Sequence, residues 1–373
     1  MAFTCAYAGN LKDIAKICRE LENRTGISKI EIAKEMEYLL SDGKELYDDP
    51  MKKQKLLKAY SDCCAHNITG HTVILRLDQV ADNLEEKADW MMKHIREQEW
   101  VADQNDAGWF NSYYDNHGRA VEHCKDQDVR MMLTGQVFAI MSGTAEPDQT
   151  KAIIKSADRY LFDEKAGGYR LNTDFKEEKF DLGRMFGFAY GEKENGAVFS
   201  HMAVMYANAL YKQGYAKEGY KVLKTLLDAA MRVENSVMYP GIPEYFDNDG
   251  RGLYAYLTGA ASWYMLTMIT SAYGVYGKLG DLVIAPALMP EQFDETGDAA
   301  LHMEFAGKKF DIFIHNPEKL MPDQVKIQKA QCDGTDMEKH DERSVYLPKT
   351  VIDTLSSEKS HRIDVTISYH MDL

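Results

Sequence analysis

The spacing of apolar residues changes once along this chain, near Gly280, and that change limits what it can fold into. Before it, apolar positions recur at three- and four-residue steps, as in Leu11, Ile14, Ala15, Cys18 and Leu21, and again from Leu77 through Leu84 and Ala88 to Ile95. Both read as helices with one apolar face, the first capped at Asn10. A further helix is expected over residues 30–40, stopped near Gly43, followed by a polar segment. Residues 129–141 are apolar on most sides and end at Gly143, after which Pro147 opens an amphipathic helix through Leu161. The same pairing returns at 202–211 and 220–227, and an almost wholly apolar helix closes the series at 257–273. Inner apolar helices alternating with outer amphipathic ones imply a toroid of helical hairpins whose long loops gather on one side. The stretch from Gly167 to Gly191 has little periodicity and reads as a functional loop. After Gly280, short β-branched runs such as 282–284, 310–314 and 362–367 lie between Gly, Pro and Asn. The expected fold is therefore mainly α: a helical toroid over 1–278 and a small C-terminal β domain, a sandwich, over 279–373.

At 373 residues the chain can bury a large core, and its formal net charge of −15 excludes nucleic acid and anionic membranes as partners. A bound anion must rely on local donors. The start, Met1 to Cys5, shows no secretory signal and no run is long enough to span a membrane, so the expected compartment is the cytoplasm. The six cysteines form no C-x-x-C pair and read as reduced thiols. His117, His123 and Cys124 lack a second ligand pair at metal-binding spacing, so no metal is expected.

One stretch stands out chemically. Asp103, Gln104, Asn105, Asp106, Ala107 and Gly108 run directly into Trp109, Phe110, Asn111, Ser112, Tyr113 and Tyr114. The plain reading is turn chemistry, since Asn, Asp and Gly serve local hydrogen bonds and positive φ. The functional reading is that carboxylates, amides and rings in one loop suit gripping and protonating a sugar, with Asp106 at the centre. Three further clusters carry the same double reading. Glu194 lies just before a helix whose first turn holds Ser200 and His201, where the dipole favours an anion. Thr258 and Gly259 open another helix, either as a simple cap or as a phosphate seat. Arg119 and Arg130 follow the Asp106 loop, and either could offer a guanidinium fork to phosphate.

The run from Asp103 to Asp106, the run from Lys193 to His201, Thr258 to Trp263, and Asp281 to Pro286 occur in the order seen in glycoside hydrolase family 94. The chain resembles these inverting β-glycan phosphorylases over most of its length, and the stretch from Trp109 to Val121 looks most like the 1,2-β-oligoglucan phosphorylases. The resemblance implies an (α/α)6 toroid followed by the β domain. It implies Asp106 as general acid, His201, Thr258 and Gly259 at the phosphate, and Glu194 at the acceptor sugar. Arg119 or Arg130 would add a cation. Inorganic phosphate would be the co-substrate, with no further cofactor, and a β-linked oligosaccharide the partner. The family has Trp where this chain has Gln104, so sugar stacking would fall to Trp109 or Phe110. Met1 falls inside the family's barrel, so the toroid is expected to lack its first helices, with a homodimer or a complementing N-terminal chain filling that place. Two other readings stay open: an inverting hydrolase with Glu192, Glu194 or Glu244 as base, and an inactive carbohydrate-binding fragment.

Overall fold

The computed structural model describes residues 1–40, 44–103, 106–125, 128–177, 179–239, 241–256 and 258–369. It divides into two compact units, Met1–Ser156 and Ala157–Leu373.

The first unit is built on two long helices, Ala2–Thr25 and Leu77–Gln98. Ala8, Leu11, Ala15 and Cys18 of one meet Leu77, Ala81, Leu84, Ala88 and Met92 of the other in a buried cluster. Small residues alternate with large ones along this seam, which lets the helices approach closely. Ile14 and Leu21, expected on the same face, are exposed. Asn10 lies inside the helix rather than at its cap, because the apolar pattern already begins at Ala2. The expected helix at 30–40 is instead the strand Lys29–Ala33 followed by the 3-10 helix Lys34–Leu40. Ile30 and Ile32 alternate with polar residues, and the strand pairs antiparallel with Thr72–Arg76. The polar segment contains a helix, Pro50–Cys64, whose cap is Asp49: its carboxylate accepts from the backbone N–H groups of Met51 (2.9 Å) and Lys52 (3.1 Å).

Beyond Gln98 the chain forms a tight antiparallel hairpin, Trp100–Ala102 with Gly108–Phe110. Helix Leu133–Met141 starts later than its apolar run, since Asp128–Arg130 pairs as a strand with His123–Lys125. Helix Pro147–Tyr160 follows, as the proline predicts.

The second unit contains helices Ser200–Lys212 and Ala216–Met231. The first is buried on nearly all sides and the second on one face, which matches the inner and outer pattern of the sequence. Helix Gly259–Thr267 continues through one wide π turn, Met268–Ala272. It is apolar but not enclosed: Met265 is 65% exposed, so its outward face is open, unlike the buried inner helix expected.

Two sheets follow. In the first, Val275–Lys278, Asp281–Ile284, Val345–Leu347 and Glu338–Lys339 lie side by side, all antiparallel. In the second, the order is Asp298–Phe305, Lys308–His315, Ser360–Tyr369, Val325–Cys332 and Thr335–Asp336, with one parallel pair between Lys308–His315 and Ser360–Tyr369. Phe310, Ile312 and Ile314 alternate inward with Ile363, Val365 and Ile367. Strand Val325–Cys332 escaped the sequence reading because lysines and glutamines interrupt its apolar residues.

Candidate active site

Both units carry residues singled out from the sequence. In the first, the Asp106 hairpin follows from pairing. Val101 lies opposite Trp109, and the Asp103 N–H donates to the Ala107 carbonyl at 3.0 Å while the Asn111 N–H donates to the Glu99 carbonyl at 2.7 Å. Gly108 must be glycine, because a Cβ there would lie 2.5 Å from the Trp100 ring. Asp106 sits at the turn with φ +55° and an exposed side chain. Aspartate tolerates this left-handed conformation better than most residues. Gln104 and Asn105 lie outside the described residues.

Trp109 and Phe110 are fully buried, and the Trp109 indole N–H donates to the Arg130 carbonyl at 3.1 Å. The hairpin strand that carries them has both faces covered, so neither ring offers a face to a sugar, and their expected stacking role is corrected to a packing one. Tyr113 and Tyr114, just downstream, are exposed. Arg119 donates from Nε to Asp115 at 2.7 Å, and its backbone N–H reaches the same carboxylate at 2.9 Å. That turn, led by its backbone donors, holds the Asp115 carboxyl down at about 2. Arg130 is half-buried, with Nε 3.3 Å from Asp128. Both guanidiniums are thus engaged by carboxylates of their own loops.

Glu122 is a buried acid that the sequence reading passed over. One carboxylate oxygen accepts from the Ser112 N–H at 2.5 Å and from the Ser112 hydroxyl, and the other accepts from the Met132 N–H at 2.7 Å. Burial nevertheless pushes this carboxyl up to about 8.

In the second unit, strand Val198–Phe199 pairs with Tyr245–Phe246, and the Ser200 N–H donates to the Glu244 carbonyl at 2.9 Å. This fixes the start of helix Ser200–Lys212 and aims its first turn. Phe199 stacks on Tyr245 with ring centroids 4.7 Å apart, and His201 lies 5.8 Å from the Trp263 ring. The His201 imidazole also lies against Gly259, where a Cβ would come within 2.5 Å of Cε1 and Nδ1. The Thr258 hydroxyl caps the Gly259–Thr267 helix by accepting from the Ala260 N–H at 3.2 Å. The His201 ring and the Thr258–Gly259 helix start thus lie side by side. Nε2 of His201 is buried without a hydrogen-bond partner among the described residues, and burial lowers the affinity of the ring for a second proton, with Glu244 opposing.

Glu194 lies in a loop shaped by Lys193 at φ +47° and tied down by Asn195, whose side chain donates to the Phe188 carbonyl at 2.9 Å. One Glu194 oxygen pairs with Arg184 at 3.3 Å, and the other is buried without a partner among the described residues. Arg184 was not anticipated, since nothing in its spacing marks it out. Lys193 extends over the rings of Phe188 (5.1 Å) and Tyr254 (5.4 Å). Glu192 and Glu244 are half-buried.

These features can hold an anion beside a helix N-terminus and a polar ligand beside Glu194. Among the described residues no helix is long and apolar enough to cross a membrane. The chain is similar to the solabiose phosphorylase of Paenibacillus borealis, 25% identical over 243 residues, which cover 62% of this chain and 30% of that protein. It is 24% identical over 220 residues to the cellobionic acid phosphorylase of Neurospora crassa, covering 53% of this chain and 27% of that one. A 3-O-beta-D-glucopyranosyl-beta-D-glucuronide phosphorylase of Paenibacillus borealis is 23% identical over 236 residues, 60% of this chain and 29% of that one. The chain thus spans less than a third of the length of these relatives. The family of the glycosyl hydrolase 94 superfamily catalytic domain matches residues 75–274, more than half of the chain, and the chain belongs to that family.

Proposed function

We propose that the protein catalyses inverting phosphorolysis of β-glucosidic bonds in oligoglucans, with β-1,2-linked chains as the substrate and α-glucose 1-phosphate as the product. The observation that carries this reading is the buried, unpartnered Nε2 of His201 held against Gly259 at the start of a helix. Such an atom gains a partner when an oxyanion arrives, and the helix terminus supplies further N–H groups. The family membership and the phosphorylase relatives support the same reaction class. In this reading the helices belong to an (α/α)6 toroid and the two sheets to a sandwich.

The roles are those the family resemblance implies, and the residue types suit them. Phosphate, held by His201, Thr258 and Gly259, attacks the anomeric carbon from the face opposite the leaving sugar. The glycosidic C–O bond breaks, and the proton of the Asp106 carboxyl passes to the departing oxygen. Glu194, with one oxygen unpartnered, accepts hydroxyls of the acceptor sugar. No second carboxylate is needed to activate water, because phosphate is itself the nucleophile. No cofactor beyond phosphate enters.

The test is product formation from a short β-1,2-glucan with and without inorganic phosphate, in the natural chain and in Asp106→Asn. Sugar phosphate that needs both phosphate and Asp106 supports the reading. Free glucose formed at a rate indifferent to phosphate overturns it.

A further inference from the structure

We infer that Gln136 and Ser156 are positioning residues for Asp106, acting as a substitute third strand that clamps the outer edge of its hairpin; this rests on the reading of Asp106 as the general acid. The argument begins with alternation. In the hairpin, 99 with 111, 101 with 109 and 103 with 107 are the hydrogen-bonded pairs, so Gly108 and Phe110 turn their N–H and C=O groups away from the partner strand. Both residues are buried, and four outward backbone groups would be left without partners.

Among the described residues no strand covers that edge; two side chains do. The Gly108 N–H donates to the Ser156 hydroxyl at 2.9 Å, and the Gly108 carbonyl accepts from it at 3.0 Å. The single hydroxyl proton is shared with the Ala152 carbonyl, also at 3.0 Å. The Phe110 N–H donates to Gln136 Oε1 at 2.8 Å, and Gln136 Nε2 donates back to the Phe110 carbonyl at 2.8 Å. Its second proton goes to the Met132 carbonyl at 3.0 Å. Gln136 and Ser156 are fully buried within helices Leu133–Met141 and Pro147–Tyr160. A primary amide presents one donor and one acceptor in the spacing a peptide would, which is why Gln reproduces a ladder rung. The strand that follows Asp106 is thereby fixed to two helices at alternate residues, while the Asp106 side chain stays exposed. A small displacement of this strand would move the carboxyl away from the glycosidic oxygen.

The experiment uses the full chain with Gln136→Met and Ser156→Ala, the second a milder change that keeps the test open if the first does not fold. Turnover is measured on a β-1,2-glucan and on 2,4-dinitrophenyl β-glucoside, whose leaving group departs without protonation. The expected result is a fall in kcat of about 10- to 100-fold on the glucan, with the phosphate KM within about 3-fold and turnover of the aryl glucoside nearly unchanged. Equal losses on both substrates, or none on either, overturn the positioning role. Amide exchange is followed in parallel and is expected to be at least about 10-fold faster at Phe110 in Gln136→Met and at Gly108 in Ser156→Ala, with the helices unchanged. Unchanged exchange at these amides overturns the clamp. A natural chain without phosphate-dependent turnover, or an Asp106→Asn variant that keeps it, overturns the phosphorylase reading instead, and amide exchange then decides the clamp by itself.

Discussion

Around Asp106 the outward backbone groups of Gly108 and Phe110 all have partners, whereas around His201 three buried side-chain atoms have none among the described residues: His201 Nε2, Ser200 Oγ and Glu194 Oε2. In the proposed function the two regions would thus serve the reaction by different means. The hairpin is a satisfied scaffold that presents one exposed carboxyl, and its precision comes from buried neighbours. The helix entrance holds polar atoms out of water without a partner, at roughly 1–3 kcal/mol each, and a bound ligand would restore what they lack. Substitutions in the hairpin should therefore change turnover, and substitutions at the helix entrance should change ligand affinity.

The largest expected effect is at Asp106. Asparagine accepts the same left-handed backbone and keeps the shape, but it has no proton to give. Asp106→Asn should retain the thermal midpoint and lose roughly 100- to 10,000-fold in kcat on a glucan, checked by sugar-phosphate release together with a melting curve. Next comes Gly259→Ala. Its Cβ would press on the His201 ring at 2.5 Å, so the imidazole must shift. Phosphate affinity should fall by about 10-fold or more, equivalent to 1–3 kcal/mol of overpacking and lost contact, read by calorimetry with inorganic phosphate. His201→Phe sharpens the contrast further. It removes an unpartnered buried nitrogen, so the ligand-free protein should melt at the same temperature or higher, while stabilisation by phosphate disappears. A melting point that drops without phosphate would show that His201 is a structural residue and not a waiting ligand.

Much of this contrast was legible in the residues. The pairing of an enclosed helix with an amphipathic one, at Ser200–Lys212 and Ala216–Met231, follows directly from apolar spacing. The grouping of His201 with Thr258 and Gly259 came from the family resemblance alone, and the structure sets the His201 ring against Gly259. The clamp was not legible, although its trace is there: Gln136 is a polar residue in the middle of an otherwise apolar helix, and Ser156 lies on the apolar side of its own. Spacing alone cannot say which distant backbone group such a residue serves. Trp109 and Phe110 were misread because aromatic rings next to a polar turn look the same in sequence whether they face a ligand or a core. The strand at Lys29–Ala33 was misread as helix because its short apolar run fits both periods.

A smaller effect concerns acidity. The Glu122 carboxyl is pushed from 4.5 to about 8 by burial, so the folded state holds a proton that the unfolded state releases between those values. This contribution is complete below about pH 4.5 and is lost as pH rises toward about 8, so stability should decline across that window. Glu122→Gln should flatten the decline, measured by urea unfolding at several pH values, whatever its effect on stability at any single pH. The smallest expected effect is Thr258→Ala, which removes one cap and should lower stability by about 1 kcal/mol.

The central claim is that phosphate, not water, attacks the anomeric carbon. Phosphorus NMR of the protein with a β-1,2-glucan and inorganic phosphate reads this directly. Growth of an α-configured glucose 1-phosphate signal, matched by loss of inorganic phosphate, is the expected result. Glucan breakdown with the inorganic phosphate signal unchanged would contradict the claim.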